Sequence, residues 1–334
     1  SYTDLLGALL GYHDVGDTSG DFVRGWLAGS TVALTETIIM SNTNGRITFT
    51  TGLTFFIGDR VVLSGSGAGN NGTYTLTSNT TATTFNVLPV PPADETLSMT
   101  VTLVGYRATV GRVSNSFTLE RAFTDVGVDQ YQAFTGMKVN SVAFSLPATG
   151  LATATWNFLG KDATALSTSP ISTIENDGGT PPAVYASVST KSVLAAVNGA
   201  IYVSGTALGT VTDLNFTIDN QLGGAEVVGS NTIPESLWGN TQMVTGKLTV
   251  LFEDAVQYNR FLNETTAILV FRMDGSSATE WLQFTFPRCK FNSASIGDAV
   301  ATGLPLEVEF RAILPTSLQS LPSQVVIQTS HLAA

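Results

Sequence analysis

Alternation of apolar and polar residues is the commonest pattern along this chain. In residues 141–158, apolar side chains take every second position of two segments separated by a short turn, namely Val142, Phe144, Leu146, Ala154, Trp156 and Phe158. A period of two residues is typical of β-strands with one buried face. Two such segments joined by a turn predict an antiparallel hairpin.

The same hairpin pattern returns further along the chain. Residues 213–222 repeat the spacing of 141–150, and residues 246–255 supply a second strand. A weaker copy lies at 305–311, where Leu306, Val308 and Phe310 alternate with Glu307, Glu309 and Arg311. Strands with one apolar and one polar face belong to antiparallel sheets that are wetted on one side. We therefore predict a mainly β protein, an antiparallel β-sandwich or half-barrel, with one helix in its main body.

Helical spacing occurs in two short segments. Near the start, Tyr2, Leu5, Leu6, Leu9 and Leu10 fall on one helical face. In the main body, residues 253–265 begin with two acidic residues, which a helix N-terminus favours. The expected packing face of this second helix consists of Ala255, Tyr258, Phe261 and Leu262.

Residues 38–104 differ from the rest because they contain five short strand candidates separated by their own turns. This predicts a small inserted β module between an N-terminal part (1–37) and the main β domain (105–334). A glycine-rich stretch at 64–72 allows two interpretations. A phosphate-binding loop needs a Lys-Ser/Thr pair and a following helix, whereas here Asn71-Gly72 precedes a strand candidate. The sequence favours a hairpin turn.

Composition narrows the possible functions. Only 12% of the residues are charged, the net charge is −11, and no cluster of Lys and Arg provides a nucleic-acid-binding patch. The single cysteine excludes an intrachain disulfide. No apolar run reaches the length of about 18 residues that a membrane-spanning helix requires. We interpret the low charge as a sign that much of the surface is buried against other chains.

Chemically reactive residues are scarce. His13 lies near Asp14 and Asp17, which could suggest a metal site, but two acids and one histidine within five residues are more typical of a solvated loop. His331 lies near the end of the sequence. Cys289 fits a buried apolar position better than a nucleophile, and the acidic stretch 174–182 lacks the spacing of a calcium loop. We predict neither an enzyme nor a cofactor or metal site.

Several longer stretches resemble the tail tube proteins of long, flexible-tailed bacteriophages (siphophages). The most specific is 115–164, with "SFTLERAFTDVG", "FTGMKVNS" and a strand ending in "FLGKD". Residues 245–271 are similar to that family's strand–helix–strand segment, and "YTDLLGALLG" resembles the short piece before its core. The resemblance covers nearly the whole chain except 38–104.

The resemblance implies a structural subunit of a virion tail, assembled in the host bacterial cytoplasm. Six subunits would form a ring with a continuous inner β-barrel, and stacked rings would form the conduit for DNA ejection without binding DNA specifically. The implied partners are further copies of the chain and other tail proteins: the tape measure, terminator and distal tail proteins.

Two questions remain open at the level of sequence. The main body contains 18 acids and 12 bases, so we expect an acidic lumen, with Glu307 and Glu309 as candidate lumen-facing residues. An ordinary outer face suits these two residues equally well. The alternative function is a virion-surface adhesin or carbohydrate-binding module that uses 38–104 and exposed aromatic residues.

Overall fold

The structure is a computed structural model of the chain. It describes residues 2–10, 26–50, 55–81, 83–111, 115–148, 150–169, 195–208, 211–223, 242–252, 255–275, 280–298, 303–315 and 323–330. The helices are α1 (Tyr2–Leu10) and α2 (Val256–Leu262), with a short 3₁₀ turn at Gly29–Thr31. The strands are β1 (Leu27–Ala28), β2 (Ala33–Ser41), β3 (Arg46–Phe49), β4 (Arg60–Ser64), β5 (Gly72–Asn79), β6 (Thr84–Leu88), β7 (Glu95–Leu103), β8 (Tyr106–Thr109), β9 (Phe117–Phe123), β10 (Gln130–Pro147), β11 (Thr153–Leu159), β12 (Asp162–Ala163), β13 (Ala195–Val203), β14 (Thr206–Ala207), β15 (Val211–Asp219), β16 (Met243–Leu251), β17 (Ala267–Asp274), β18 (Trp281–Ile296), β19 (Pro305–Ala312) and β20 (Val326–Thr329).

Two antiparallel assemblies contain all of these strands. Fourteen strands form one large sheet, whose main path runs β1-β8-β20-β18-β19-β16-β15-β10-β11. The long strand β18 pairs with β17 and β20 through its first half and with β19 through its second half. The two parts of the large sheet pack on each other as a sandwich, which confirms the predicted mainly β, antiparallel fold.

Phenylalanine rings fill the space between the two layers. The ring of Phe216 on β15 lies 4.8 Å from Phe144, 4.9 Å from Phe271 and 5.1 Å from Phe284, centroid to centroid. Phe144 belongs to the same layer as Phe216, whereas the other two come from the opposite layer. Such aromatic contacts stabilise a core beyond the area that they bury. The bulky residues of the alternating hairpins therefore form the core of the sandwich.

Both predicted helices are present. Leu6, Leu9 and Leu10 of α1 are buried in the core of the sandwich, as their spacing predicts. In α2, Tyr258 and Phe261 are partly buried against the same core. The structure differs from the predicted packing face at Ala255 and Leu262, which are exposed. The helix has only seven residues, with Ala255 as its N-cap and Leu262 as its last residue, so the two exposed positions lie at its ends.

Strands β2 to β7 form a closed six-stranded barrel with the order β2-β3-β6-β5-β4-β7. We call residues Ala33–Leu103 the barrel. It has its own apolar core, separate from that of the sandwich, which includes Ile38, Phe55, Leu76 and Phe85. The five strand candidates of 38–104 correspond to β3–β7. The sixth strand, β2, was missed because it begins before residue 38.

The glycine-rich stretch 64–72 connects β4 to β5, which pair as an antiparallel hairpin. This confirms the interpretation of the stretch as a hairpin connection. The predicted turn at Asn71-Gly72 is wrong in detail, because Gly72 is already the first residue of β5 and pairs with Leu63, so that a longer loop joins the two strands. Its hydrogen-bond donors surround a carboxylate of the protein itself. Glu95 accepts hydrogen bonds from the Ser66 hydroxyl (2.5 Å), the Gly67 amide (2.7 Å), the Ala68 amide (3.1 Å) and the Asn70 side chain (2.8 Å). The groups that could have held a phosphate are therefore occupied by Glu95.

Truncating a side chain to alanine should lower the free energy of unfolding more when that side chain is fully buried than when it is partly buried or exposed. We expect Phe216→Ala to lower the free energy of unfolding by about 3–5 kcal/mol, because it removes a fully buried ring. Phe261→Ala should cost roughly half as much because its ring is only partly buried, and Leu262→Ala should be within about 0.5 kcal/mol of wild type. Denaturant unfolding measures all three. Equal costs for Phe216→Ala and Leu262→Ala would contradict this packing.

Glu95 should make the barrel sensitive to acid. Two side-chain hydrogen bonds hold the pKa of Glu95 below its ordinary value of 4.5. The bond from Ser66 has the larger effect, and the bond from Asn70 has the next largest. A carboxyl whose pKa is lowered in the folded state stabilises the protein above the unfolded pKa, and this contribution is lost as the pH falls through the folded pKa. The difference in melting temperature between wild type and Glu95→Gln at pH 7 should therefore shrink as the pH falls below 4.5. A difference that stays constant across this range would contradict the assignment.

Candidate functional site: the polar face of the large sheet

One broad face of the large sheet is polar because its strands alternate strictly. In β19, Leu306, Val308 and Phe310 are buried while Glu307 and Glu309 are exposed. The pairing register continues this division across β11, β10, β15, β16, β19 and the second half of β18, so that polar residues face polar residues on neighbouring strands. We call this surface the polar face.

Small hydroxyl and amide side chains dominate the polar face. A shallow concavity of about 540 Å³ lies along it. The side chains on its polar side are Ser145, Thr153, Thr155, Asn215, Thr217, Thr245, Lys247, Asn292 and Glu309. These residues offer hydrogen bonds to water, but they provide no pair of acids and no nucleophile beside a base.

Charges on the polar face are few, and acids outnumber bases by one. Strands β15, β16, β19 and the second half of β18 together contain four acids and three bases: Asp213, Asp219, Glu307, Glu309, Lys247, Lys290 and Arg311. The Nζ atom of Lys247 lies 2.8 Å from Oε2 of Glu307. The hydrogen bond that Lys247 donates to Glu307 raises the pKa of Lys247. Both residues of the pair are nearly half exposed, so the pair neutralises the lysine locally without adding much stability.

Gly246 of β16 makes room for the core beneath the polar face. It stands opposite Phe216 on one neighbouring strand and opposite Phe310 on the other. A Cβ atom at this position would overlap the Phe310 ring. A glycine in the middle of a strand here reflects packing of the core, and it adds no chemistry to the polar face.

Two edges of this sheet lack a strand partner. Within the described residues, β11 pairs on one side with β10 and has no strand on its other side. The second half of β18 pairs with β19, and β17 and β20 end their pairing with β18 at or before Cys289. Both edges belong to the sheet that carries the polar face.

An arm extends from the sandwich. It consists of β9, the first half of β10, and β12. Most of its residues are exposed or half-buried, unlike those of the second half of β10. Its outer parts expose apolar side chains, with Val126 48%, Val128 63% and Leu166 59% accessible.

Of the other candidate residues, Cys289 is the one that lies in the part of the chain that the structure describes. Cys289 is fully buried, as its place in the pattern predicted, and burial raises the pKa of its thiol. His13, Asp14, Asp17, His331 and residues 174–182 lie outside the described residues. Among the residues that the structure describes, no group of three or more His, Cys, Asp and Glu side chains could hold a metal ion. No helix in the described ranges is long and apolar enough to cross a membrane.

Comparison with known proteins identifies the family of the chain. No curated protein matches the chain. A family model described as phage tail tube protein matches residues 8–312, which includes the barrel and nearly all of the sandwich. This match confirms the resemblance that residues 115–164 and 245–271 indicated, and it gives the chain a structural role in the virion tail. The chain belongs to the phage tail tube protein family.

Proposed function

We propose that this chain is the repeating subunit of a siphophage tail tube, in which six copies form a ring and stacked rings form the conduit for DNA ejection. The observation that carries the proposal is the polar face, a broad sheet surface bounded by two open strand edges. An open edge exposes unpaired backbone groups that can pair with another chain. A closed ring uses both edges of every subunit, so that no edge remains exposed.

The open edges suggest how the ring closes. We assign the contact between subunits to β11 of one copy and the second half of β18 of the next. Main-chain hydrogen bonds would then continue the sheet from subunit to subunit. The polar face would line the lumen as the inner surface of a continuous β-barrel.

The chemistry of the polar face suits the passage of DNA. Each exposed Lys or Arg on a lumen wall could hold a phosphate and slow the DNA. Here Lys247 is already paired with Glu307, and the face has more acids than bases. Glu307 and Glu309 are exposed on this face, so ring formation would place both in the lumen.

The arm provides a contact in the axial direction. Its exposed Val126 and Val128 lie away from both open edges of the sheet, so stacking of rings would bury them. Assembly in the host cytoplasm, and contacts with the tape measure, terminator and distal tail proteins, complete the proposed role.

The barrel belongs on the outside of this tube. It has its own core, and it rests on the opposite layer of the sandwich from the polar face. The alternative role as a carbohydrate-binding module gains no support here. The described aromatic residues of the barrel lie in its core or, for Phe56, beneath Arg107, and its exposed apolar side chains are aliphatic.

Cross-linking tests the ring contact. The only native cysteine is buried, so Thr155→Cys on β11 and Ser295→Cys on β18 can be combined in one chain without a competing thiol. A short bismaleimide should convert the assembled double variant into a ladder that ends at six subunits.

The two single variants are the matched controls and should give dimers at most. Rings of six in electron micrographs without a ladder would refute the assigned edges. Monomers alone at all concentrations, measured by mass photometry, would refute the ring itself.

Deletion of the barrel tests its place outside the tube. Val32 and Leu103 are hydrogen-bonded neighbours, so a short Gly/Ser linker from Val32 to Val104 can replace residues 33–103. The surface that this uncovers contains Arg107, Gln283 and Gln328, which water can solvate. We expect tubes of normal inner diameter and reduced outer diameter by electron microscopy. A folded deletion variant that forms no tubes would show that the barrel belongs to the tube wall.

Charge reversal tests the lumen. In assembled Glu309→Lys tubes, each ring gains six lysines on the polar face, so a short fluorescent DNA duplex should cosediment with the tubes at low salt and be released at high salt. Wild-type tubes should not retain the duplex. Asp162→Lys on the arm is the control of equal charge and should resemble wild type. Equal retention by the two variants would place Glu309 outside the lumen.

A further inference from the structure

A row of long polar side chains lies under the barrel. On the sandwich layer that faces it, Gln283 of β18 stands opposite Gln328 of β20, and Gln328 stands opposite Arg107 of β8. All three are buried: Gln283 and Gln328 are 1% accessible and Arg107 is 6% accessible. We call these three residues the polar clamp. Side chains of this kind are rarely buried unless they are hydrogen-bonded.

Each residue of the polar clamp contacts the start of β4 or the turn before it. The side-chain amide of Gln283 donates to the carbonyl of Gly58. Arg107 Nη1 donates to Asp59 Oδ2 at 2.6 Å, and this carboxyl is completely buried. Gln328 accepts from the amide of Arg60 at 2.8 Å and donates to the carbonyl of the same residue at 3.1 Å. Three consecutive barrel residues are therefore bonded to three neighbouring strands of the sandwich.

Further contacts limit sliding and rotation at this junction. Gln328 also donates to the carbonyl of Val104, where the chain leaves the barrel, at 2.6 Å. Gly58 has a φ of +92°, and a Cβ atom there would overlap Thr285 of β18. The guanidinium of Arg60 lies 4.7 Å from the ring centroid of Trp281. Hydrogen bonds, close packing and a cation–π contact thus act on the same short segment.

We infer that the polar clamp fixes the barrel in one orientation on the sandwich, so that the two bodies move as one. A barrel held only by its two linkers would be free to reorient, which is the default for domains that share a small interface. Hydrogen bonds depend on direction, so a small rotation of the barrel would break several of them at once. Apolar contacts alone would resist such a rotation less. Gln283, Gln328 and Arg107 are positioning residues for the barrel. This inference concerns the single chain and holds or fails independently of the proposed tube.

Distance measurements between spin labels test the inference in the full chain. Ser98→Cys on the barrel and Thr153→Cys on β11 are exposed, whereas the native Cys289 is buried and remains unlabelled. Labelled protein is diluted with unlabelled protein, so that only distances within a chain are measured by pulsed electron paramagnetic resonance. The wild-type distribution should be narrow. In Gln283→Leu/Gln328→Leu the width should at least double, because Leu keeps the bulk of Gln but cannot form the hydrogen bonds.

Two further variants keep the test decisive. Gln132→Leu, which removes a glutamine hydrogen bond in the arm, is the matched control and should leave the distribution narrow. Arg107→Lys keeps the charge beside Asp59 and should broaden the distribution less than the double variant does, so it decides the question if the double variant does not fold. A broad wild-type distribution, or distributions in Arg107→Lys and the double variant as narrow as in wild type, would overturn the inference.

Discussion

Burial of one face of the long sandwich strands against the phenylalanine core is the constraint on which this protein depends. Successive residues of a strand point to opposite sides, so placing Phe216 in the core places Asn215 and Thr217 on the polar face. A register slip of one residue would exchange the two faces along the whole strand. The aromatic contacts between the layers therefore determine which residues form the polar face as well as stabilising the sandwich.

An assembly function follows from what this core leaves unpaired. The sandwich buries the apolar faces of its strands within one chain. Among the described residues, however, one backbone edge of β11 and one of the second half of β18 have no strand partner. Soluble proteins usually protect such edges by charge, proline or a covering loop. In the ring that we propose, these edges serve assembly instead, because each edge would be paired once the ring closes. The low charge of the chain agrees with a surface that is largely covered by further copies.

Barrel and sandwich illustrate two kinds of packing in one chain. Each has an apolar core of its own, while the junction between them is largely polar. Burial raises the pKa of Asp59, and the attraction of Arg107 opposes this effect. Removal of one partner from such a buried pair typically costs about 3–5 kcal/mol, because the other charge stays buried without compensation. Apolar packing therefore accounts for the stability of each unit, whereas the junction contributes a defined orientation.

The sequence alone predicted those features of the fold that depend on the local geometry of the backbone. The alternation at 141–146 and 305–311 and the helical spacing of Leu6, Leu9 and Leu10 each depend on residues close together in the chain, and each appears in the structure as expected. Contacts between distant residues were decided only by the tertiary structure. Gln328 is hydrogen-bonded to Arg60, which is 268 residues away in the sequence, and Arg107 is hydrogen-bonded to Asp59, which is 48 residues away. The alternation of residues within one strand does not predict such pairs. The exposure of Leu262 and the entry of β2 into the barrel likewise depend on where the neighbouring elements end. The period of a strand follows from its own backbone, but its partners follow from the path of the whole chain.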